Sequence, residues 1–362
     1  MKVLVINTVR FKLNGISAVI MNYYKAMNKD GIHMEFVAID TPSSEYQSEF
    51  DKHDIKCHVV KKNNPIMYFC SLFGLAKKGK FDIVHVHGNS ANMAIELLAC
   101  TLAGVKVRIA HSHNTSTLHP LFHKILYPIF KMTCTHGLAC GDDAGRWLFK
   151  NGPFEVINNG IELNRFKYSP EVRETFRDKI KAGNKIVIGH VGNFIEQKNH
   201  NFLIDMFADL LKVNPNYLLL LISDGYLMES IKQKVSDLKI DNSVIFLGKT
   251  QEVHNYMLAM DIFALPSLHE GLPLVLVEAQ ASGLKCLVAD TVARESDLTG
   301  AIQFLPISST LPWVKAVEET EVDDSVRQHY VEKWQTEIAD AGYDIIRNAD
   351  RMRELYLSYA GD

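Results

Sequence analysis

The sequence predicts an α/β protein made of two doubly wound parallel-sheet domains, and three observations predict it. Strand-length runs such as Lys2–Asn7 and Tyr217–Ile222 are apolar almost throughout rather than alternating, as strands covered on both faces are. Helix-length segments separate most of these runs, the spacing of βαβ units. The rhythm stops in Asn158–Phe166 and restarts at Lys185, so 362 residues divide into two series of similar size.

In the first series, Lys2–Asn7 is followed by a loop, Thr8 to Asn14. A helix then opens at Gly15-Ile16-Ser17, with Val19, Ile20, Tyr23 and Met27 at helical spacing. Strands are expected at Met34–Ile39, Ile83–Val86, Lys106–Ala110, Gly137–Cys140 and Phe154–Ile157, and helices over 66–78, 90–103, 119–133 and 142–150. Turn residues in Asn158–Phe166 and charged, apolar-poor sequence as far as Lys185 mark the junction. The second series has strands at Lys185–Val191, Tyr217–Ile222, Ser243–Leu247, Asp261–Leu265 and Lys285–Ala289. Its first helix carries Phe202, Leu203, Met206, Phe207, Leu210 and Leu211 on one face. Expected domains are therefore 1–165, 166–323 and a charged helical segment, 324–362, with Trp334, Ile338, Tyr343, Ile346 and Leu355 as its apolar stripe.

Composition narrows the function. A net charge of −3 gives no basic excess for nucleic acid. No run of eighteen apolar residues is present to span a bilayer, and the start lacks a signal-peptide core. Six cysteines without paired spacing read as reduced thiols of a cytoplasmic protein.

The chemistry concentrates in Ser267–Ala279. An apolar strand ends here, a tight loop carries Glu270 and Gly271, and Pro273 opens a helix that contains Glu278. A glycine loop at a helix N-terminus suits an anion, whereas two carboxylates beside it suit neutral hydroxyls. A ligand with an anionic middle and hydroxyl-rich ends is a sugar nucleotide. Upstream, Gly192-Asn193-Phe-Ile-Glu-Gln-Lys198 follows the first strand of the second series, and Lys198 is a point charge suited to a diphosphate. Asn14-Gly15 offers a similar anion cradle at the first helix, or a plain helix cap. No GxGxxG fingerprint occurs, which argues against a nicotinamide enzyme.

Two strand ends carry paired histidines, His85 with His87 and His111 with His113, each pair on one face of its strand. Because the pairs end separate strands, with no Cys or Asp at ligand spacing, no zinc site is expected. Asp142-Asp143 reads as a helix cap, and no catalytic metal is predicted. The stretch 119–135 is either a buried helix or a surface resting on a membrane to reach a lipid-linked acceptor.

Glu270 and Glu278, eight residues apart with Gly-Leu-Pro after the first, resemble the signature of the family 4 glycosyltransferases, and with Asn14-Gly15, His113, Asn158–Glu162 and Lys198 the resemblance extends over the whole chain. It implies the GT-B fold, two Rossmann-like domains facing a central cleft with terminal helices returning to the first, and a retaining transferase. By position, Glu270 contacts the transferred sugar and Glu278 the ribose hydroxyls. Gly271, Leu272, Pro273 and Leu274 hold sugar or phosphate through their backbone. Lys198 neutralises the diphosphate, Gly225 and Gly248 end strands beside the base pocket, and His113 lies by the sugar and acceptor. An arginine common near position 193 is Asn193 here, so Arg294, another basic group or the helix dipole must compensate. The resemblance implies a sugar-nucleotide donor, a UDP-sugar first with guanine left open, no cofactor, and a glycan or lipid-linked acceptor in surface polysaccharide biosynthesis. Peripheral membrane contact goes with such an acceptor. A sugar-nucleotide epimerase of the same fold and a non-catalytic sugar-nucleotide-binding subunit remain alternatives, with a dehydrogenase behind them.

Overall fold

The computed structural model describes residues 1–12 and 14–361. Leu13, in the loop expected after the first strand, and Asp362, at the end of the expected C-terminal segment, lie outside the described residues. The chain divides into two compact units, one of Met1–Gly160 with Ile345–Asp362, the other of Ile161–Asp344.

The first unit holds seven parallel strands: β1 (Lys2–Asn7), β2 (His33–Ala38), β3 (Cys57–Val59), β4 (Ile83–Gly88), β5 (Val107–Ser112), β6 (His136–Ala139) and β7 (Glu155–Val156), in the order β3-β2-β1-β4-β5-β6-β7. Its connecting helices are α1 (Gly15–Ala26), α2 (Ser44–Lys52), α3 (Pro65–Gly79), α4 (Ala94–Leu102), α5 (Pro120–Thr133) and α6 (Asp142–Phe149). The strand order reverses between β1 and β4, where such sheets bind ligands beyond the strand C-termini. Local sequence sets the helix starts: the Asn14 side chain accepts from Ser17 N at 3.0 Å, and Asn64 accepts from Ile66 N and Met67 N ahead of Pro65. One sheet face is filled by Val19, Ile20, Tyr46 and Phe50 of α1 and α2, the other by Tyr68, Leu72, Leu97 and Phe130 of α3, α4 and α5.

The second unit holds β8 (Ile186–Val191), β9 (Tyr217–Ile222), β10 (Val244–Gly248), β11 (Ile262–Leu265), β12 (Lys285–Ala289) and β13 (Ile302–Leu305), all parallel, in the order β10-β9-β8-β11-β12-β13. Around them pack α7 (Pro170–Lys179), α8 (His200–Val213), α9 (Met228–Asp237), α10 (Val253–Ala259), α11 (Leu274–Ala281), α12 (Leu311–Glu319) and α13 (Asp324–Ile338). Leu203, Met206, Phe207 and Leu210 of α8 are fully buried, each stabilising the unit by about 1.5–3 kcal/mol. The order reverses between β8 and β11, and the loops after those strands lie at the switch point where such sheets bind ligands.

Three expectations change. The short strand β3 and the edge strand β13 were not anticipated. The return of the chain to the first unit begins at Ile345, not at 324. Helix α13 stays with the second unit because the buried Arg327 guanidinium donates to the carbonyls of Met257, Leu258, Met260 and Ser282. Gly342, at φ 87°, then makes the turn into α14 (Ile345–Gly361), which packs Ile345, Ala349, Met352 and Tyr356 against the first unit's core. Finally, α5 is not a buried helix: Phe130 and Thr133 are its buried residues, while Leu121, Phe122 and Ile125 are exposed. Among the described residues no helix is long and apolar enough to cross a membrane.

Candidate active site

At the β8/β11 edge of the second unit, Lys198 Nζ donates to Glu270 Oε1 at 2.5 Å, and Ser267 Oγ donates to the same oxygen at 3.1 Å. Both charged side chains are largely covered, at 16% and 12% exposure, so the pair acts where water screens weakly. Two hydrogen bonds sew the loops together: Leu268 N donates to Gln197 O at 2.8 Å, and the Gln197 side-chain Nε2 donates to His269 O at 2.9 Å. The loop after β12 completes the clamp, through Ala293 N to Glu270 O at 3.1 Å and Thr291 Oγ1 to Ser267 O at 2.7 Å. Pro273 is the cap residue before α11, and the helix itself starts at Leu274, directly after Gly271-Leu272.

Glu278 sits one turn into α11. It keeps some surface, yet the protein around its carboxyl removes enough water to push its pKa up to about 7, with Arg165 pulling the other way. Arg165 itself lies 3.0 Å from His254 Nδ1.

Asn193 stands beyond β8, and its side-chain oxygen accepts from Ser223 Oγ at 2.7 Å. Phe194 N donates to Asp224 O at 2.9 Å, holding this loop against the end of β9. A Cβ on Gly225 would lie 2.5 Å from the Phe194 carbonyl oxygen, so only glycine permits that approach. Gly248 ends β10 at φ 79°. Arg294 lies over the Phe304 ring of β13 and is engaged at that sheet edge.

Sequence reasoning passed over His190 on β8. Its Nδ1 faces the Ala264 carbonyl at 2.8 Å, which leaves a buried Nε2 with no partner. A Cβ on Gly192 would sit 3.0 Å from that nitrogen and 3.1 Å from Lys198 Cδ, so the glycine lets the Lys198 loop lie on the imidazole. Burial, reinforced by His200 and Lys198, holds His190 well below the usual histidine range.

In the first unit, Gly15 and His113 line one cavity of about 390 Å³ together with Asn14, Asn89, Asn114 and Asn159. The space around Gly15 is open: a Cβ there would meet nothing within 4 Å.

The histidine pairs need correction, because β4 and β5 are neighbours and bring all four rings together. His85 Nε2 lies 3.2 Å from His111 Nδ1, and His87 Nδ1 lies 2.8 Å from His113 Nε2. The Tyr356 hydroxyl is 2.6 Å from His85 Nδ1. Burial lowers all four pKa values, to about 3 for His85 and His113, so the imidazoles are neutral. Among the described residues, His85, His87 and His111 have nitrogens within 4.8 Å of one another and form a group that could hold a metal. However, the His85 and His111 rings are parallel, and the 3.2 Å between His85 Nε2 and His111 Nδ1 is a hydrogen-bond separation, which engages those two nitrogens with each other rather than with a common ion.

Residues 13–165 match the family described as Glycosyltransferase Family 4, and residues 172–297 match Glycosyl transferases group 1. The Bacillus subtilis (strain 168) protein EpsF, a glycosyltransferase by name, is 30% identical over 362 residues, 94% of this chain and 93% of that protein. The chain belongs to the group 1, family 4 glycosyltransferases.

A further relative, the UDP-Gal:alpha-D-GlcNAc-diphosphoundecaprenol alpha-1,3-galactosyltransferase of Escherichia coli, is 26% identical over 83% of this chain and 81% of its own. The structure of Anabaena Alr3699/HepE in complex with UDP superposes with a TM-score of 0.79 at 18% identity, over 99% of this chain and all of that one. The fold is that of GT-B glycosyltransferases, and the protein is a transferase. Of the expected site residues, the second unit gathers Lys198, Glu270 and Gly271–Leu274 at one sheet edge, with Glu278 one turn further. Gly15 and His113 share a cavity in the first unit. Arg165 and His190 had no signal in the sequence, since each depends on an element distant along the chain.

Proposed function

We propose that this glycosyltransferase moves a sugar from a UDP-sugar, with retention of configuration, to a hydroxyl of a glycan or lipid-linked acceptor in surface polysaccharide biosynthesis. The observation that carries the reading is the Lys198–Glu270 pair at the switch point of the second unit, with Glu278 in the helix that follows. Lys198 meets the donor's diphosphate, where negative charge grows as the leaving group departs, and a fixed cation there favours the transition state over the ground state. Glu270 accepts from the sugar hydroxyls and Glu278 from the ribose. The acceptor hydroxyl attacks on the face from which the nucleotide leaves, and the leaving phosphate takes its proton. His113 orients the acceptor. The uridine donor is supported by the UDP-Gal in the name of the Escherichia coli relative and the UDP in the Anabaena structure. Polysaccharide biosynthesis is supported by the match to the Vi polysaccharide biosynthesis protein VipC/TviE of Salmonella typhi. The reaction needs no metal or cofactor, and the protein works in the cytoplasm, at the inner face of the membrane.

The test is thermal shift against UDP, GDP, ADP, dTDP and NAD, with and without EDTA. A ligand at a hundred times its Kd adds about 2.7 kcal/mol of stability. UDP alone should stabilise, equally in EDTA; stabilisation by NAD alone overturns the reading. The anomeric configuration of the product, read by NMR, decides retention.

A further inference from the structure

Three buried nitrogens collect beneath the Lys198 loop with no hydrogen-bond partner among the described residues: Nε2 of His190, and both ring nitrogens of His200, the first residue of α8. The two side chains are 0% and 1% exposed, so no ligand touches them, and whatever they do is done through a neighbour. Buried polar atoms are normally paired, and an orphan calls for a reason. At His190 the tautomer is fixed. Its Nδ1 faces the Ala264 carbonyl of β11, which can only accept, so Nδ1 carries the proton and Nε2 keeps a lone pair.

The neighbour of that lone pair is Lys198. A Cβ built on Gly192 would lie 3.0 Å from His190 Nε2 and 3.1 and 3.2 Å from Lys198 Cδ and Cε, so acceptor and lysine stem meet across a residue without a side chain. Both partners are held. The imidazole is tied to β11, and the His200 ring stands edge-on to it with centroids 4.7 Å apart, itself stacked on Phe194. Lys198 N donates to Ile195 O at 3.1 Å, and Asn199, at φ 55°, turns the chain directly into α8.

Two acceptors of different charge thus flank Lys198. Glu270 is an anion and cancels the charge of the ammonium it binds. A neutral imidazole accepts the same N–H and cancels nothing. A cation on a flexible four-carbon stem needs an acceptor to aim it, and it meets a diphosphate best with its charge intact.

We propose that His190 is a positioning residue for Lys198, its Nε2 being the second acceptor onto which the ammonium moves when Glu270 turns to the donor sugar. The assignment rests on the transferase reading above and adds the group that steers its cation.

The test uses the full chain labelled with 15N-histidine and followed by NMR, the His190 signal being identified by its loss in His190→Asn. A ring nitrogen that begins to accept a hydrogen bond moves upfield. Glu270→Ala, with no nucleotide present, should move the His190 Nε2 signal upfield, because the ammonium has lost its carboxylate. Adding Lys198→Met should reverse the move. A signal that is the same in the parent and in Glu270→Ala overturns the proposal. So does a move that persists with Lys198→Met, which would make His200 or water the partner.

Calorimetry with UDP gives the functional readout. His190→Asn keeps the donor to Ala264 and loses the Nε2 acceptor, whereas His190→Gln places an oxygen near Nε2 and loses that donor. His190→Asn should weaken UDP binding about tenfold in the Glu270→Ala background, where Nε2 is the remaining acceptor, and less than about threefold alone. His190→Gln should restore most of the loss in that background, although its melting temperature falls further. An equal cost of His190→Asn in both backgrounds reduces His190 to packing and overturns the proposal. If UDP binds neither parent nor variants while Glu270→Ala moves Nε2 as expected, the donor reading fails and the second acceptor of Lys198 stands.

Discussion

Lys198 Nζ and Glu270 Oε1 are 2.5 Å apart, so the cation proposed to meet the donor's diphosphate and the carboxylate proposed to meet its sugar already neutralise each other. Each substitution therefore leaves the other charge uncompensated in a largely covered place, and the two variants should diverge. Lys198→Ala leaves Glu270 facing the phosphates, so UDP affinity should fall together with transfer, the latter about a hundred- to a thousandfold. Glu270→Ala frees Lys198, so transfer should collapse while UDP binds as well as before or more tightly. Calorimetry with UDP on both variants checks this. Equal losses of UDP affinity would mean that the pair is structural.

Glu278 should make donor binding depend on pH. Its pKa of about 7, raised by burial from 4.5, means that near neutrality the carboxyl is partly protonated. Hydroxyl donors favour the charged form, so affinity for an intact UDP-sugar should rise from pH 6 to pH 8, by up to about tenfold per unit below the pKa. An intact UDP-sugar is the right probe, because the terminal phosphate of UDP titrates in the same range. Glu278→Gln should flatten the profile. Affinity that falls with rising pH would remove Glu278 from hydroxyl recognition. For stability the sign is opposite: the favourable contribution is complete below pH 4.5 and is lost as pH rises through 7.

Both sheets were legible because their central strands are buried on two faces and so are apolar without alternation. The edge strands were not: Cys57–Val59 is three residues long, and Ile302–Leu305 is only partly covered. That Lys198, Glu270 and Glu278 would gather at one sheet edge was legible because each lies within a short stretch that follows β8 or β11. What stayed hidden depends on strand order. Nothing in the chain says that β4 and β5 are adjacent, and without that adjacency the two histidine pairs look separate. Arg165 beside Glu278 and His190 beneath Gly192 are hidden for the same reason. The α13 boundary was missed because an apolar stripe does not say which unit it packs on; the buried bonds of Arg327 do.

The buried histidines should govern acid stability. In the fold His85, His87, His111 and His113 are neutral, held by burial far below their ordinary range, whereas in the unfolded chain they gain protons near pH 6.5. Their contribution is present above pH 6.5 and is lost as pH falls toward 3, by up to about 1.4 kcal/mol per unit for each ring. The melting temperature should thus drop steeply between pH 7 and pH 5. His111→Asn, or His200→Gln in the second unit, where burial lowers the pKa to about 4, should shallow that drop. A drop of unchanged steepness in both would assign acid lability to other groups.

Asp261 should be the most sensitive ion pair of the second unit. Its carboxylate, 3% exposed, is bonded to Arg173, accepts from Arg177 Nη1 at 3.0 Å and takes the Val187 amide at 2.7 Å. It thereby joins α7 to the starts of β8 and β11, the two strands whose other ends carry Lys198 and Glu270. Removing it strands two covered guanidinium groups, which costs about 3–5 kcal/mol when a buried pair is broken from one side. Asp261→Ala should therefore lower the urea midpoint markedly. It should leave UDP affinity near its original value in the fraction that stays folded, because the carboxylate touches no donor-edge residue. Asp261→Asn, which keeps the amide contact, should cost less. A midpoint for Asp261→Ala within experimental error of the parent would show that the arginines find other partners, with their bonds to the carbonyls of Leu258, Met260 and Gly183 the first candidates.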